Sequence, residues 1–477
     1  MTSKQETRRW TVRDAGRIAA IGLTAALGIA AMAVVGSSGK SLDFGHELSV
    51  PIQGSAILSD TTFHVVCNPT ATTDTDADID LNASTVVSTS PALSILDARA
   101  LEADAAPVAG KTHQGYVDYD ATKPFALTIQ AKSGAHLSAT ALIEAESDEI
   151  SGYSFDHCGS ASSEAWFTLG STTVGQFAGI TIANPAQAAT QVRIEAWDST
   201  GLLDEKPTVT VAGESYQTIN LATYFPEQER LAVHLEASGP GAVFTYHTSA
   251  TDGLAPQGLT NTTSADYPNT TLVFAGFDPT VSNPTMRLAN PTDETASVDL
   301  ITWGVDGKDT VEGSPFVIDA GAVFDIPLDG LDGNITTVVA EADQALIGSI
   351  NGYTLGQENE DGVKWADTTV WTPSAAQTSM DIAIPDAGKR ATQARLSVSN
   401  PQSEPVTVTV EDMEVTIPPL STRAYPIADR FIEVSASQPV YATVLSEKER
   451  ATGVVKTAMP VRGQADTLPV VTLGFDR

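Results

Sequence analysis

The stretch ITIANPAQAATQVRIEAWD, Ile180 to Asp198, sets an apolar run against Asn-Pro and then a second apolar run. The pair recurs at Asn68-Pro69, Asn184-Pro185, Asn290-Pro291 and Asn400-Pro401, at spacings of 116, 106 and 110 residues. Counting forward from the last three asparagines, positions +8 and +10 are Val192 and Ile194, Val298 and Leu300, Val408 and Val410. Apolar groups two apart mark a strand with one buried face. Position +13 holds Trp197, Trp303 and Met413 on the opposite parity, so these groups lie on the other face or follow a bulge. Proline cannot donate to a central ladder, and it pushes the residue before it into an extended conformation. Asn-Pro therefore reads as the end of one strand and the start of a turn: punctuation of a fold, not a binding site.

Further blocks keep the same phase. Val211, Ile219 and Leu221 have counterparts in Ile318, Ile326 and Leu328 and in Ile417, Tyr425 and Ile427, with Gly213, Gly321 and Pro418-Pro419 between the members. LAVHLEA from Leu231, TVVAEAD from Thr337 and FIEVSAS from Phe431 form a third block. Short strands at roughly 8–12-residue intervals predict an all-β protein of tandem immunoglobulin-like β-sandwich repeats of about 100 residues. The expected order is a linker at 37–52, then units at 53–160, 161–270, 271–372 and 373–477, strung in a row. The first unit diverges, because Asp76 and Asp78 occupy its +8 and +10 places. Asp74, Asp76, Asp78 and Asp80 form a weak calcium candidate. Ile79 and Thr85 stand where a calcium loop needs Gly and Glu, so a solvated acidic loop is the competing reading.

The formal charge of −33 is unevenly placed. The first 40 residues hold six basic and two acidic groups, leaving 20 basic against 57 acidic groups in the remainder. Such a body repels phosphate backbones, which argues against nucleic-acid binding. Ile18 to Val35 is uncharged and close to the ~20 residues a membrane helix needs, and Arg8, Arg9, Arg13 and Arg17 precede it. The expectation is a basic cytoplasmic tail at 1–17, a transmembrane helix or signal anchor at 18–36 and an extracellular body. A cleaved signal peptide, with Ala31-Met32-Ala33 at the cleavage site, would export the body equally. Cys67 and Cys158 fall in the exported part, where pairing is favoured. A metal site using His64 and His157 is the rival, weakened by the adjacency of His157 and Cys158.

Cys67-Asn68-Pro69, Cys158, AWFTLGSTTVG at Ala165–Gly175, ITIANP and VTVAGESYQTINL at Val209–Leu221 carry a resemblance. The chain resembles a domain-of-unknown-function family of actinobacterial, N-terminally membrane-anchored proteins with β-rich ectodomains. The resemblance spans nearly the whole chain on short motifs and implies a role in the cell envelope, beside envelope glycosyltransferases. It brings no catalytic residue.

The sequence carries few signatures of chemistry. No G-x-S-x-G, H-E-x-x-H or dinucleotide glycine fingerprint occurs. Gly39-Lys40-Ser41 lacks the first phosphate-loop glycine, with Val34 in its place, and Ser37 with Lys40 has no companion motif. Trp166, Trp365 and Trp371 suggest a sugar-stacking platform, against core packing. No catalytic residue and no cofactor is expected. The expected role is a non-enzymatic scaffold or partner subunit of envelope assembly, working with an envelope glycosyltransferase or a cell-wall polymer. The alternatives are a cell-wall glycan-binding module and a glycan-active enzyme with an unidentified carboxylate site.

Overall fold

The computed structural model describes residues 61–462, apart from 73–80, 103–105, 133–134, 136, 148–149, 254, 264–266, 332, 359–363, 387–390 and 452. The membrane-anchor run at 18–36 and the calcium candidates Asp74, Asp76, Asp78 and Asp80 lie outside the described residues. Among the described residues no helix is long and apolar enough to cross a membrane.

The chain is all-β. Its first region holds β1 (Thr61–Cys67), β2 (Leu81–Ser88), β3 (Leu93–Ala100), β4 (Gly110–Thr112), β5 (Tyr116–Tyr119), β6 (Phe125–Ala131), β7 (Ala139–Glu146), β8 (Ser151–His157) and β9 (Gly159–Ser160). The second holds β10 (Glu164–Phe167), β11 (Gln176–Asn184), β12 (Thr190–Trp197), β13 (Thr208–Val211), β14 (Ser215–Asn220), β15 (Ala232–Ala237), β16 (Val243–Asp252) and β17 (Ala255–Thr263). The third holds β18 (Asn269–Phe277), β19 (Ser282–Ala289), β20 (Ala296–Gly304), β21 (Gly307–Thr310), β22 (Phe316–Ile318), β23 (Val323–Pro327), β24 (Thr336–Glu358) and β25 (Lys364–Trp371). The fourth holds β26 (Gln377–Ala383), β27 (Ala391–Asn400), β28 (Val406–Val410), β29 (Met413–Ile417), β30 (Ser421–Ile427), β31 (Phe431–Arg450) and β32 (Gly453–Pro460).

The last three units share one pairing plan. In the second unit the sheets run β10-β15-β12-β13 and β14-β11-β16-β17. The fourth repeats this as β26-β31-β28-β29 and β30-β27-β31-β32, and the third does so around β24. The +8 and +10 residues are fully buried, and each unit's core draws side chains from both of its sheets. The first unit is built differently, as β3-β6-β1-β9 and β4-β5-β2-β7-β8.

The immunoglobulin-like connectivity is corrected. In that fold the sixth and seventh strands pair within one sheet. Here the chain changes sheet at that point. β31 pairs through Val434 with Met380 and Val410, and through Val444 with Leu396 and Met459. One long strand thus serves both sheets, and so does β24. In the second unit Ser238-Gly239-Pro240-Gly241 breaks this strand into β15 and β16, with Gly239 and Gly241 at φ 67° and 78°. Glycine adopts such positive φ without the clash that a Cβ causes.

The recurring asparagine is a buried rivet. Asn184 Nδ2 donates to the carbonyls of Ala188 at 2.8 Å and Ala212 at 3.1 Å, and its Oδ1 accepts from the Ala186 amide at 3.0 Å. Asn290 does the same to Glu294, Asp319 and Thr292, and Asn400 to Glu404, Pro418 and Gln402. Each side chain thereby ties its own turn to the next hairpin turn. Proline at the following position directs the chain out of the strand.

The described residues all fall within one compact unit, so the four regions pack against one another. The innermost strands β8, β17, β25 and β32 lie side by side in a closed, propeller-like circuit. A hydroxyl bridges each seam. The Asn261 amide donates to Ser154 Oγ at 3.2 Å, and Thr368 Oγ1 donates to the Gln257 carbonyl at 3.0 Å. Thr369 Oγ1 donates to the Lys456 carbonyl at 3.0 Å, and the Phe155 amide to Thr457 Oγ1 at 3.1 Å. Gly152 and Gly258 let the backbones approach, since a Cβ at either would collide with Leu259 or with the Thr368 amide.

The +13 tryptophans serve the same end. Trp197 packs against Ala289, Val323 and Ile347 of the next unit, and Trp303 packs near Leu420 and Tyr441 of the next. Their opposite parity aims them out of their own sandwich. Met413 is not their equivalent: β28 stops at Val410, so Met413 opens β29 and is 44% exposed.

Asn184→Asp, Asn290→Asp and Asn400→Asp should each cost about 2–3 kcal/mol, because several buried carbonyls lose their donor. Urea unfolding midpoints measure this. A variant as stable as the parent would remove the rivet's role.

Candidate functional site

The side chains with the most chemistry gather beside the inner circuit, where the first and last units meet. β7 and β31 supply them. Lys448 and Arg450 share parity with Ala442, Val444 and Ser446, so they prolong the buried face of a strand whose partner is polar. Lys448 Nζ lies 2.6 Å from Glu144 Oε1, and Arg450 Nη2 lies 3.2 Å from the same oxygen. Asn82 Nδ2 donates to Glu144 Oε2 at 3.0 Å. Arg450 also donates to the carbonyls of Ala145 at 3.1 Å and Gly152 at 2.7 Å and to Ser151 Oγ at 3.1 Å. Burial alone would raise the Glu144 pKa. The Lys448 and Asn82 hydrogen bonds and the Arg450 charge overcome it and hold the carboxyl below the ordinary range.

Asp367, on β25, is the group left over. It is 1% exposed; Oδ1 accepts from the Thr368 amide at 3.0 Å, and Oδ2 has no hydrogen-bond partner. Burial pushes its pKa up to about 8 against the pull of Arg450 and of nearby amides, so it is mainly neutral at pH 7. Tyr153 OH and Ser446 Oγ, 2.9 Å apart, complete the neighbourhood, and burial raises the Tyr153 pKa.

A second polar knot joins units one and two. His247 is 1% exposed. Its Nδ1 lies 2.8 Å from Asn261 Oδ1, an acceptor, so Nδ1 carries the proton. Nε2 then accepts from Thr181 Oγ1 at 2.7 Å and Asn68 Nδ2 at 3.2 Å. Burial lowers the His247 pKa to about 4. Asn68 therefore serves this knot, unlike its three counterparts. At the far end of the inner circuit His157 Nε2 donates to the Pro460 carbonyl at 2.6 Å, and burial lowers the His157 pKa to about 3. The adjacent cavity, among Phe155, Thr260, Thr372 and Arg462, has room of about 20 Å³, a single water.

Cys67 and Cys158 are bonded to each other across a separation of 91 residues. Neither thiol is left for a metal, His64 faces Thr128, and among the described residues no group of three metal-capable side chains occurs. The three tryptophans do not form one platform. Trp371 is 2% exposed, donates to the Gly276 carbonyl at 3.0 Å and meets the Phe277 edge, which places it in the core. Sequence reasoning missed Glu144, Asp367, Lys448 and Arg450. The buried-face parity of Lys448 and Arg450 was the available signal.

Glu144→Ala should cost about 3–5 kcal/mol, since two buried cations lose their anion. Hydrogen exchange should show protection falling in β7 and β31 and, to the same extent, in the inner strands β8, β17, β25 and β32; unchanged protection there would contradict the assignment. Asp367→Asn removes a pH slope. The folded pKa is raised, so the native state holds a proton that the unfolded chain releases above about pH 4. Its stability is full below that pH and is lost as pH rises through about 8. Urea unfolding between pH 5 and 8 should show wild-type stability falling relative to Asp367→Asn; parallel curves would refute the neutral carboxyl.

The model of a family of unknown function, DUF5719, matches residues 117–430, which run from β5 to just before β31. No curated protein matches the chain. The match covers 314 of 477 residues, takes in all of the second and third units, and includes Glu144, Asp367 and the asparagine rivets of the last three units. The chain is a member of DUF5719, a family of unknown function.

Proposed function

We propose that the protein is a membrane-anchored extracytoplasmic scaffold or partner subunit of cell-envelope assembly. Residues 18–36 would anchor it with the N-terminus cytoplasmic, and the body would stand outside, in an actinobacterial envelope as the resemblance implies. The basic tail before the apolar run, the acidic body and the Cys67–Cys158 bond support that placement. The observation that carries the scaffold reading is the use of Glu144, Lys448 and Arg450. These buried charged groups are spent on joining the first unit to the last. Arg430 adds a bidentate pair with Asp118 at 2.6 and 3.0 Å across the same seam. A rigid platform presenting its outer surface is what such an investment favours.

We read the last three units as duplications of one two-sheet module, immunoglobulin-like in size and layering and distinct in connectivity. Their common pairing plan supports this.

Crosslinking in intact cells, followed by purification of the full-length protein, tests the reading. Recovery of a discrete membrane enzyme, such as a glycosyltransferase, is expected. Recovery of wall polymer with no protein partner would replace the scaffold by a glycan-binding module.

A further inference from the structure

Asn82 and Lys448 meet on one carboxylate. Asn82, on β2, stands directly opposite Glu144, on β7, and its Nδ2 donates to Glu144 Oε2 at 3.0 Å. Lys448, on β31, donates from Nζ to the same oxygen at 2.7 Å. A primary amine, a carboxamide and a carboxylate are thus gathered from three strands, with the amine and the amide two hydrogen bonds apart. Lys448 and Glu144 are buried, whereas Asn82 is exposed near the start of β2.

Each group has a part in one reaction. An amine becomes a nucleophile once it loses a proton, and a buried lysine beside a base is placed to do so. A carboxamide carbon is electrophilic, and its nitrogen leaves once protonated. A carboxylate that touches both nitrogens can take a proton from one and hand it to the other. Holding the three together turns a bimolecular encounter into a step within one molecule. Arg450 fixes the carboxylate from Oε1 at 3.2 Å and cannot itself give up a proton. The reaction also takes a lysine charge out of a buried place, where ions are costly. The exposure of Asn82 gives the released ammonia a path to water.

We propose that Lys448 and Asn82 join in an isopeptide bond, with Glu144 as the catalytic residue. Lys448 Nζ passes a proton to Glu144 and attacks Asn82 Cγ. Glu144 returns that proton to Nδ2, and the Cγ–Nδ2 bond breaks. The departing ammonia takes up the proton that the new amide sheds. Lysine ammonium and carboxamide thereby become amide and free ammonium, with no oxidant or cofactor. The bond ties the first unit covalently to the last, and it stands independently of the scaffold reading.

The test is peptide mass spectrometry of the full-length chain, purified, reduced and digested. A branched peptide joining the Asn82 segment to the Lys448 segment is expected, lighter than their sum by about 17 Da, the mass of ammonia. Asn82→Ala should abolish the branch and keep the fold, because Asn82 is exposed. Glu144→Gln should cut the branched fraction about tenfold or more, as loss of a general base does. A parent chain that yields Asn82 and Lys448 only in linear peptides would overturn the proposal. So would loss of ammonia from Asn82 without a branch. An undiminished branch in Glu144→Gln would overturn the catalytic role.

Discussion

One carboxylate holds the architecture closed. Glu144 sits on β7 near the beginning of the body, and the two cations that neutralise it sit on β31 near its end. Buried charges are costly when single and tolerable when paired with good geometry and further hydrogen bonds. Here Lys448, Arg450 and Asn82 all face Glu144, and Arg450 also satisfies two carbonyls and a serine. The arrangement is therefore specific before it is stabilising. It ties the first unit to the fourth, whose core takes in Leu142, Tyr153 and Phe155 from the first.

The other seams follow the same logic with weaker groups. Inner strands that are not joined by a ladder meet through single hydroxyls and through glycines that allow close backbone approach. Tryptophans on the outer face of one unit fill the next, so the surface that an isolated sandwich would expose becomes interior. Within each of the last three units the asparagine rivet and the long sheet-switching strand fix the module itself. Local rivets make the units, and Glu144 closes the set.

Much of the module was legible from residue types alone. Val192 and Ile194 announce a one-faced strand through period two, and Trp197, on the opposite parity, lies on the other face. The structure adds that this face is covered by a neighbour. Asn-Pro reads as a turn because proline limits the ladder, yet nothing local reveals that the asparagine amide reaches a hairpin 28 residues away. Met413 misled because position +13 was counted through a tight hairpin at Glu411 and Asp412. The sheet change within β31 leaves no mark on periodicity, since both halves keep alternating. Glu144 and Arg450 are 306 residues apart, and in a chain with 59 acidic groups no spacing rule selects one.

Closure is the central claim, and native-state hydrogen exchange tests it most directly. If the circuit is closed, the slowest amides of β8, β17, β25 and β32 share one opening free energy, and Glu144→Gln lowers all four together. Four separate opening free energies, with β8 exchanging on its own and untouched by the substitution, would mean that the units behave as independent sandwiches and that the closed account is wrong.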